Sequence, residues 1–509
     1  MRRVLAAALL VGAAGCSTVP AEPATGSAPA APSAGEQARG ADQVEWGPCT
    51  DIKRPDGEPP ARQDASVRCG KLAVPLDYAK PDGERIELAL IKLPATGKAR
   101  KLGSMVFNFG GPGASGVDTL DQAARALTAL RTRYDLVSFD PRGVERSSGV
   151  RCGSGAEMDR FTALDTLPPD DETHRESERM NKQFAALCQK NAGKVLPYVG
   201  TVNAARDMDR IRAAVGDPKL NYVGMSYGTQ LGAVYATLFP RNVGRMVLDA
   251  PLDPTVSFEQ RTLAQTRGFQ HAYESFLKSC VKDGKCAVGK DAATADANVE
   301  NLMNELTAKP LKVGNRELTQ GLASTGVAAA LYSELTWPFL EQALGDALKG
   351  HGEALLYLAD SYTGRAEDGT YSTQMTSFPA ITCVDTAERP SEAELRRTEE
   401  QSLKISPLFG SEGSGGLCRV WPAKGSDQAR RVNATGSAPI VVVGGKGDPA
   451  TPYEWAPKLT AQLRTATLVT YEGEGHGAYL SGSKCVQGLV DGYLIEGKVP
   501  RKGATCPAA

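Results

Sequence analysis

The chain has 509 residues, 41% of them hydrophobic. That is ample for a large buried core and long for one domain at ~100–200 residues each. Its 58 basic and 59 acidic side chains leave a formal net charge of −1, which excludes the basic footprint of a nucleic-acid binder and points to a globular protein with a small-molecule or peptide partner.

Met1-Arg2-Arg3 is a short cationic start before an apolar run over 4–14. The run is too short for a permanent membrane helix, which needs ~20 apolar residues, and reads as a signal peptide over 1–15. Ala13-Ala14-Gly15-Cys16 resembles a bacterial lipobox, with Ala13 where Leu or Val is usual. Cys16 would then be the lipidated first residue of the mature protein, and plain cleavage with free secretion is the alternative. A doubly acylated cysteine suffices for stable anchoring, so membrane association is expected only through Cys16. Residues 16–42 are nearly all Ala, Pro, Ser, Gly, Glu and Thr, and read as a tether. The expected destination is the extracytoplasmic face of a bacterial membrane, or the medium. Eleven cysteines less Cys16 leave an even ten, as a disulfide framework in an oxidising compartment requires. Pairing of sequence neighbours gives Cys49–Cys69, Cys152–Cys188, Cys280–Cys286, Cys383–Cys418 and Cys485–Cys506. No C-x-x-C pair occurs, which argues against a zinc cluster.

After the tether, 72–76 and 86–93 read as extended segments. Short apolar runs then alternate with helical stretches, the mark of βα units and a mostly parallel sheet. The runs are 105–107, 136–139, 221–225 and 245–248, with helices expected over 117–130, 201–215 and 227–239. A smaller insertion, 144–200, has helical character over 172–190. From about 256 to 436 the patterns are mainly helical, as in 261–278, 296–307 and 326–348. The βα rhythm resumes with the run 439–443, a helix over 453–463 and a strand over 467–471. The economical reading is one catalytic domain, 43–255 and 437–509, interrupted by a helical cap over 256–436.

Gly224-Met225-Ser226-Tyr227-Gly228 matches G-x-S-x-G between a predicted strand and a predicted helix, the setting in which that motif presents a nucleophilic serine. Alone the motif is weak, so its partners matter. The chain has four histidines. His174 lies in an acidic stretch, while His271 and His351 lie in the cap; each reads as a surface or capping residue. His476, in Gly473-Glu474-Gly475-His476-Gly477 after the last predicted strand, is at the carboxyl end of the sheet, where such folds build their sites. Asp448, after the preceding strand, is the expected acid, with Asp249 and Asp253 as rivals. The order Ser226, Asp448, His476 is that of α/β-hydrolases. Backbone donors for an oxyanion are expected from Tyr227 and from Gly111, with Gly110 the alternative, in the loop Asn108 to Gly116. The chemistry is acyl transfer through an acyl-enzyme, with no metal and no cofactor.

Together, Gly110-Gly111-Pro112-Gly113, Asp140-Pro141-Arg142-Gly143, the Ser226 motif, Asp448-Pro449-Ala450-Thr451-Pro452 and Gly475-His476-Gly477 resemble the secreted tripeptidyl aminopeptidases. These are prolyl-aminopeptidase-like serine peptidases of the α/β-hydrolase superfamily, and mycobacterial cell-envelope proteases and esterases share their build. The likeness runs from about Trp46 to the C-terminus; Phe109 departs from it, standing where relatives have Pro or His. It implies removal of short peptides, tripeptides in particular, from substrates with free N-termini. It also implies a carboxylate for the substrate ammonium, for which Asp385, pinned by a disulfide at Cys383, and Glu259 are candidates. The rival readings are a carboxylesterase or lipase with the same triad, and an inactive anchored binding lipoprotein.

Overall fold

The structure, a computed structural model, describes residues 44–50, 52, 66–165, 167, 169–410 and 416–509. The expected signal peptide, Cys16 and the tether lie outside the described residues. The strands are β1 (Arg68–Pro75), β2 (Arg85–Leu93), β3 (Ser104–Asn108), β4 (Asp135–Phe139), β5 (Leu220–Met225), β6 (Val243–Asp249), β7 (Leu311–Val313), β8 (Arg316–Leu318), β9 (Ile440–Gly447), β10 (Ala466–Glu474) and β11 (Ala504–Cys506). Nine of them form one sheet in the order β1-β2-β4-β3-β5-β6-β9-β10-β11, and β7 pairs with β8 in a separate hairpin. β1, β2 and β4 pair antiparallel in turn; the remaining pairings are parallel.

The apolar runs read as strands because both faces of the sheet are covered. In β9, Ile440 and Val442 pack against Ala456, Leu459 and Leu463 on one side. Val441 and Val443 pack against Val486 and Val490 on the other. Burial of four successive side chains is the two-residue period of a strand between two helical layers.

The chain leaves the sheet after β6 and returns at β9, and the intervening segment is mainly helical. Its first part has a core of its own, including Phe269, Phe276, Leu302, Leu331 and Leu340. Of the later part, Leu408 and Phe409 join that core, while other side chains pack elsewhere. Ile381, Cys383, Cys418 and Trp421 pack with Val150, Cys152, Phe184 and Cys188 of the smaller insertion, over the sheet. The inserted segment thus contributes to two clusters, one of its own and one shared with the smaller insertion and the sheet.

Helix ends account for several differences from expectation. The helix expected over 326–348 is two, Gln320–Leu331 and Trp337–Ala347. Ser333 is extended between them and Pro338 sits in the first turn of the second, where a missing N–H costs nothing. The stretch 117–130 likewise divides into Gly116–Ala123 and Thr128–Arg131, since Leu127 leaves helical geometry while burying its side chain. β11 gives no signal of its own; three residues add to the sheet edge beside the Cys485–Cys506 disulfide. The other disulfides join Cys49–Cys69, Cys152–Cys188, Cys280–Cys286 and Cys383–Cys418.

Candidate active site

β3 lies between β4 and β5, so the strand order reverses there, and a crevice opens at the carboxyl ends of the strands. Ser226 follows β5 directly and heads the helix Tyr227–Leu238. Its backbone is at φ 54°, ψ −124°, a conformation costly for a residue with a side chain and one that recurs at functional sites. The turn depends on its neighbours being small: a Cβ on Gly228 would lie 2.5 Å from the Asn108 carbonyl oxygen. The Ser226 N–H is held by the Asp249 carbonyl at 3.0 Å, while Ser226 Oγ is buried without a hydrogen-bond partner.

His476 follows β10, and its Nδ1 lies 2.8 Å and 3.0 Å from the two carboxylate oxygens of Asp448. Asp448 is fixed in turn by the N–H groups of Ala450 (3.0 Å) and Thr451 (2.8 Å) and by the Thr451 hydroxyl (2.9 Å). His476 Nε2 is buried without a partner. The imidazole is thus bonded on one nitrogen to a carboxylate and has the other unbonded, the disposition a general base requires.

The rival acids do different work. Asp249, at the end of β6, accepts from Ala478 N–H (3.1 and 3.0 Å) and Tyr479 N–H (2.9 Å). It anchors the loop just past His476 to the strand beside β5, and makes no bond to the imidazole. Burial pushes its carboxyl up to about 6 against the lowering effect of those N–H bonds, with the nearby Asp448 charge adding to the rise. Asp253 accepts from the Thr255 N–H and hydroxyl (3.0 and 2.7 Å) and from Gln462 (2.9 Å).

The loop after β3 supplies the other wall. Gly110 has φ 109°, and a Cβ there would lie 2.8 Å from Ser226 Cβ, so only glycine lets this backbone lie against the serine. The Gly110 N–H is donated to Asn108 Oδ1 at 3.1 Å. Gly111 lines the cleft with Ser226 and Tyr227. Tyr227 is the first residue of its helix, a position whose N–H has no intrahelical acceptor. The Asp-Pro-Arg-Gly motif is architectural. Asp140 accepts from Ser115 Oγ (2.6 Å) and Val117 N–H (3.2 Å), fixing the end of the glycine loop. Arg142 is buried against Asp207, with contacts of 2.6 and 2.7 Å.

The cleft lies between the strand ends and the inserted helices and opens to solvent. Asp385 lines it, accepting at 2.8 Å from the N–H of Thr201 and also from its hydroxyl. The Thr201 hydroxyl meets the Tyr227 hydroxyl at 2.6 Å, which ties Asp385 to the residue beside Ser226. Among the described residues no ion pair holds Asp385, and burial pushes its carboxyl up to about 7.

Residues 406–506 match the family described as TAP-like protein. Over 479 residues the chain is 37% identical to serine protease Hip1 of Mycobacterium tuberculosis, with 91% of each chain covered. The chain belongs to the TAP-like serine hydrolases. It is also 34% identical over 498 residues to carboxylesterase B of Mycobacterium tuberculosis, covering 95% of this chain and 93% of that one. Tripeptidyl aminopeptidase of Streptomyces lividans is 31% identical over 456 residues, with 86% and 83% covered. TAP-like enzymes thus carry protease and esterase names on one α/β-hydrolase frame.

Within this TAP-like hydrolase the structure does not bring Glu259 to the cleft. A capping box of Ser257 and Gln260 sets the register of helix Phe258–Val281. Phe258, Arg261 and Gln265 face the cleft, so Glu259 turns about 160° away from Arg261 at 3.6 residues per turn. Its side chain meets Gln401 instead, at 3.4 Å. The other histidines also lie elsewhere: His174 Nε2 is 2.5 Å from Glu399 and His271 Nε2 is 3.6 Å from Glu474, while His351 is exposed. Sequence reasoning missed Arg261, Glu388 and Arg430 in the cleft wall. The capping box was the available signal, because it fixes which face Arg261 takes. Cys280 and Cys286 lie near Glu341, but their disulfide leaves no thiolate for a metal.

Proposed function

We propose that this protein is an exported serine exopeptidase that releases short N-terminal peptides, tripeptides in particular, from substrates with free N-termini. His476 takes the Ser226 proton, the hydroxyl attacks the scissile carbonyl, and the Gly111 and Tyr227 N–H groups hold the oxyanion. The imidazolium, stabilised by Asp448, then protonates the leaving amine, and water hydrolyses the acyl-enzyme. The observation that carries the exopeptidase reading is Asp385. A buried carboxylate in the wall of the serine's cleft, oriented by Thr201 and lacking an ion-pair partner, is the complement of a substrate ammonium.

Five disulfides support a working place in an oxidising compartment. Anchoring at Cys16 belongs to the same reading, and globomycin-sensitive processing of the precursor tests it.

The decisive experiment compares free tripeptidyl, N-blocked tripeptidyl and acyl-ester chromogenic substrates, with fluorophosphonate labelling of wild type and Ser226→Ala. Labelling lost in the variant, with free peptides strongly preferred over blocked ones, is expected. Equal turnover of free and blocked peptides defeats the exopeptidase reading in favour of an esterase or endopeptidase.

A further inference from the structure

Of the four charged side chains that line the cleft, three are engaged. Glu388 receives the Phe258 N–H at 2.8 Å and Arg430 at 2.5 Å. Arg430 also donates to the carbonyls of Pro254 (3.2 Å), Thr255 (2.8 Å) and Val256 (3.1 Å). Asp385 is held by Thr201. The Arg261 side chain makes no hydrogen bond to the described residues: its Nε is buried without a partner, and the side chain belongs to the cleft wall.

An arginine has five donors; the residue is half-buried, and its buried Nε–H is left without a bond, which is costly. Its position is nevertheless rigid. One helical turn before it, Phe258 is bonded to Glu388; one turn after it, Gln265 Nε2 donates to the Ala450 carbonyl at 2.8 Å. Ala450 is two residues from Asp448. Arg261 therefore sits on a helix face fastened at both ends of the cleft, with its guanidinium unclaimed by the protein. Burial, and then the neighbouring Arg430, lower its pKa, and Glu388, Asp385 and Asp253 offset this only in part. A bound anion would remove the imbalance.

We propose that Arg261 is the anion-binding subsite of this cleft, and that it takes the side-chain carboxylate of an Asp or Glu within the peptide segment that is released. The inference rests on the exopeptidase reading for its substrate class. Asp385 and Arg261 are opposite charges, neither held in an ion pair, in one cleft. Their complement is a peptide end carrying an ammonium and, within the released residues, an acidic side chain. The planar fork of arginine matches a carboxylate in two parallel bonds.

The test is a panel of free tripeptidyl substrates with Glu, Gln or Lys placed in turn at each of the three positions, run on wild type, Arg261→Gln and Arg261→Glu. At one position wild type should favour Glu over Gln at least tenfold in kcat/KM. In Arg261→Gln that ratio should collapse toward one, and in Arg261→Glu the preference should turn to Lys. Fluorophosphonate labelling identifies which variants remain folded and reactive. A flat wild-type panel, or a Glu-to-Gln ratio that survives in a labelled Arg261→Gln protein, overturns the proposal. Failure of the exopeptidase reading is separable. If only esters are turned over, a half-ester of a dicarboxylic acid is compared with its neutral analogue on the same variants, and an unchanged ratio there refutes Arg261 directly.

Discussion

The choice among three aspartates as partner of His476 can be put to a quantitative test with Asp448→Asn and Asp249→Asn. In Asp448→Asn the residue can still accept from the Ala450 and Thr451 N–H groups, which lie 3.0 and 2.8 Å from Oδ1. Keeping those bonds leaves Oδ1 as an acceptor 2.8 Å from His476 Nδ1 and puts the new amide NH₂ in the place of Oδ2, 3.0 Å from the same nitrogen, so that a donor competes there with the remaining acceptor. A donor there stabilises the tautomer with its proton on Nε2, which cannot take a proton from Ser226. The expected loss is on the order of 10⁴ in kcat, or about 5 kcal/mol at ~1.4 kcal/mol per factor of ten. Asp249→Asn leaves the imidazole bond untouched and weakens only the grip on Ala478 and Tyr479. That is worth roughly 1–3 kcal/mol of local stability, so the rate should fall by about tenfold or less. Steady-state hydrolysis of an activated ester, with active sites counted by fluorophosphonate titration, reads both variants on one scale. An Asp249→Asn enzyme as impaired as Asp448→Asn would refute the assignment, as would an Asp448→Asn enzyme within tenfold of wild type.

Gly110→Ala places a methyl 2.8 Å from Ser226 Cβ at a φ of 109°. Displacing the serine or the oxyanion donors should lower kcat by about 10²–10³, measured on the same ester at titrated active-site concentration. Asp385 is pushed up to about 7, so its anion is present above that pH and lost below it. With a peptide ammonium titrating near ~7.7–8.0, kcat/KM for free peptides should rise through about pH 7 and fall above about pH 8. Blocked substrates should lack this bell, and Asp385→Asn should abolish the preference for free N-termini. Removing the Cys383–Cys418 bond, which spans 35 residues, by a double serine substitution should destabilise its packing unit by about 4 kcal/mol on the chain-entropy account. Calorimetry should show a lower transition, and KM for free peptides should rise as Asp385 loses its support.

The fold was legible where burial on both faces leaves an uninterrupted apolar run, as in 440–443, because only a strand covered by two helical layers needs it. It was not legible where tertiary contacts replace a local pattern. β11 exists because a disulfide and the edge of β10 hold it. The inserted segment read as one cap because helical periodicity states only that a face is buried. Whether Ile381 lies against Leu331 or against Phe184 is decided by topology. The site followed the same division. Ser226, Asp448 and His476 each follow a strand in a short motif whose glycines mark the turn, so chain order alone picks them out as candidates. Asp249 stands at an equally suitable strand end, and only its bonds to Ala478 and Tyr479 separate it from the role of Asp448.

Substrate recognition resists sequence reading for a further reason. What distinguishes Arg261 from Arg430 is the absence of partners, a property of the folded surroundings. Arg261 stands alone and Arg430 is followed by Arg431, and neither pattern states which guanidinium finds partners. The inserted helices are also not a separate selector laid over finished catalytic machinery. The His476 N–H donates to the Tyr332 carbonyl at 2.8 Å, and the Tyr332 ring meets the imidazole edge-on at 5.3 Å. Tyr332 is the carboxyl cap of helix Gln320–Leu331, inside the insertion's own core. A displacement of that core therefore moves, or releases, the backbone of the histidine itself. Selection by the cleft and placement of His476 share one set of contacts, so a change in the insertion that shifts Tyr332 alters the histidine together with the cleft.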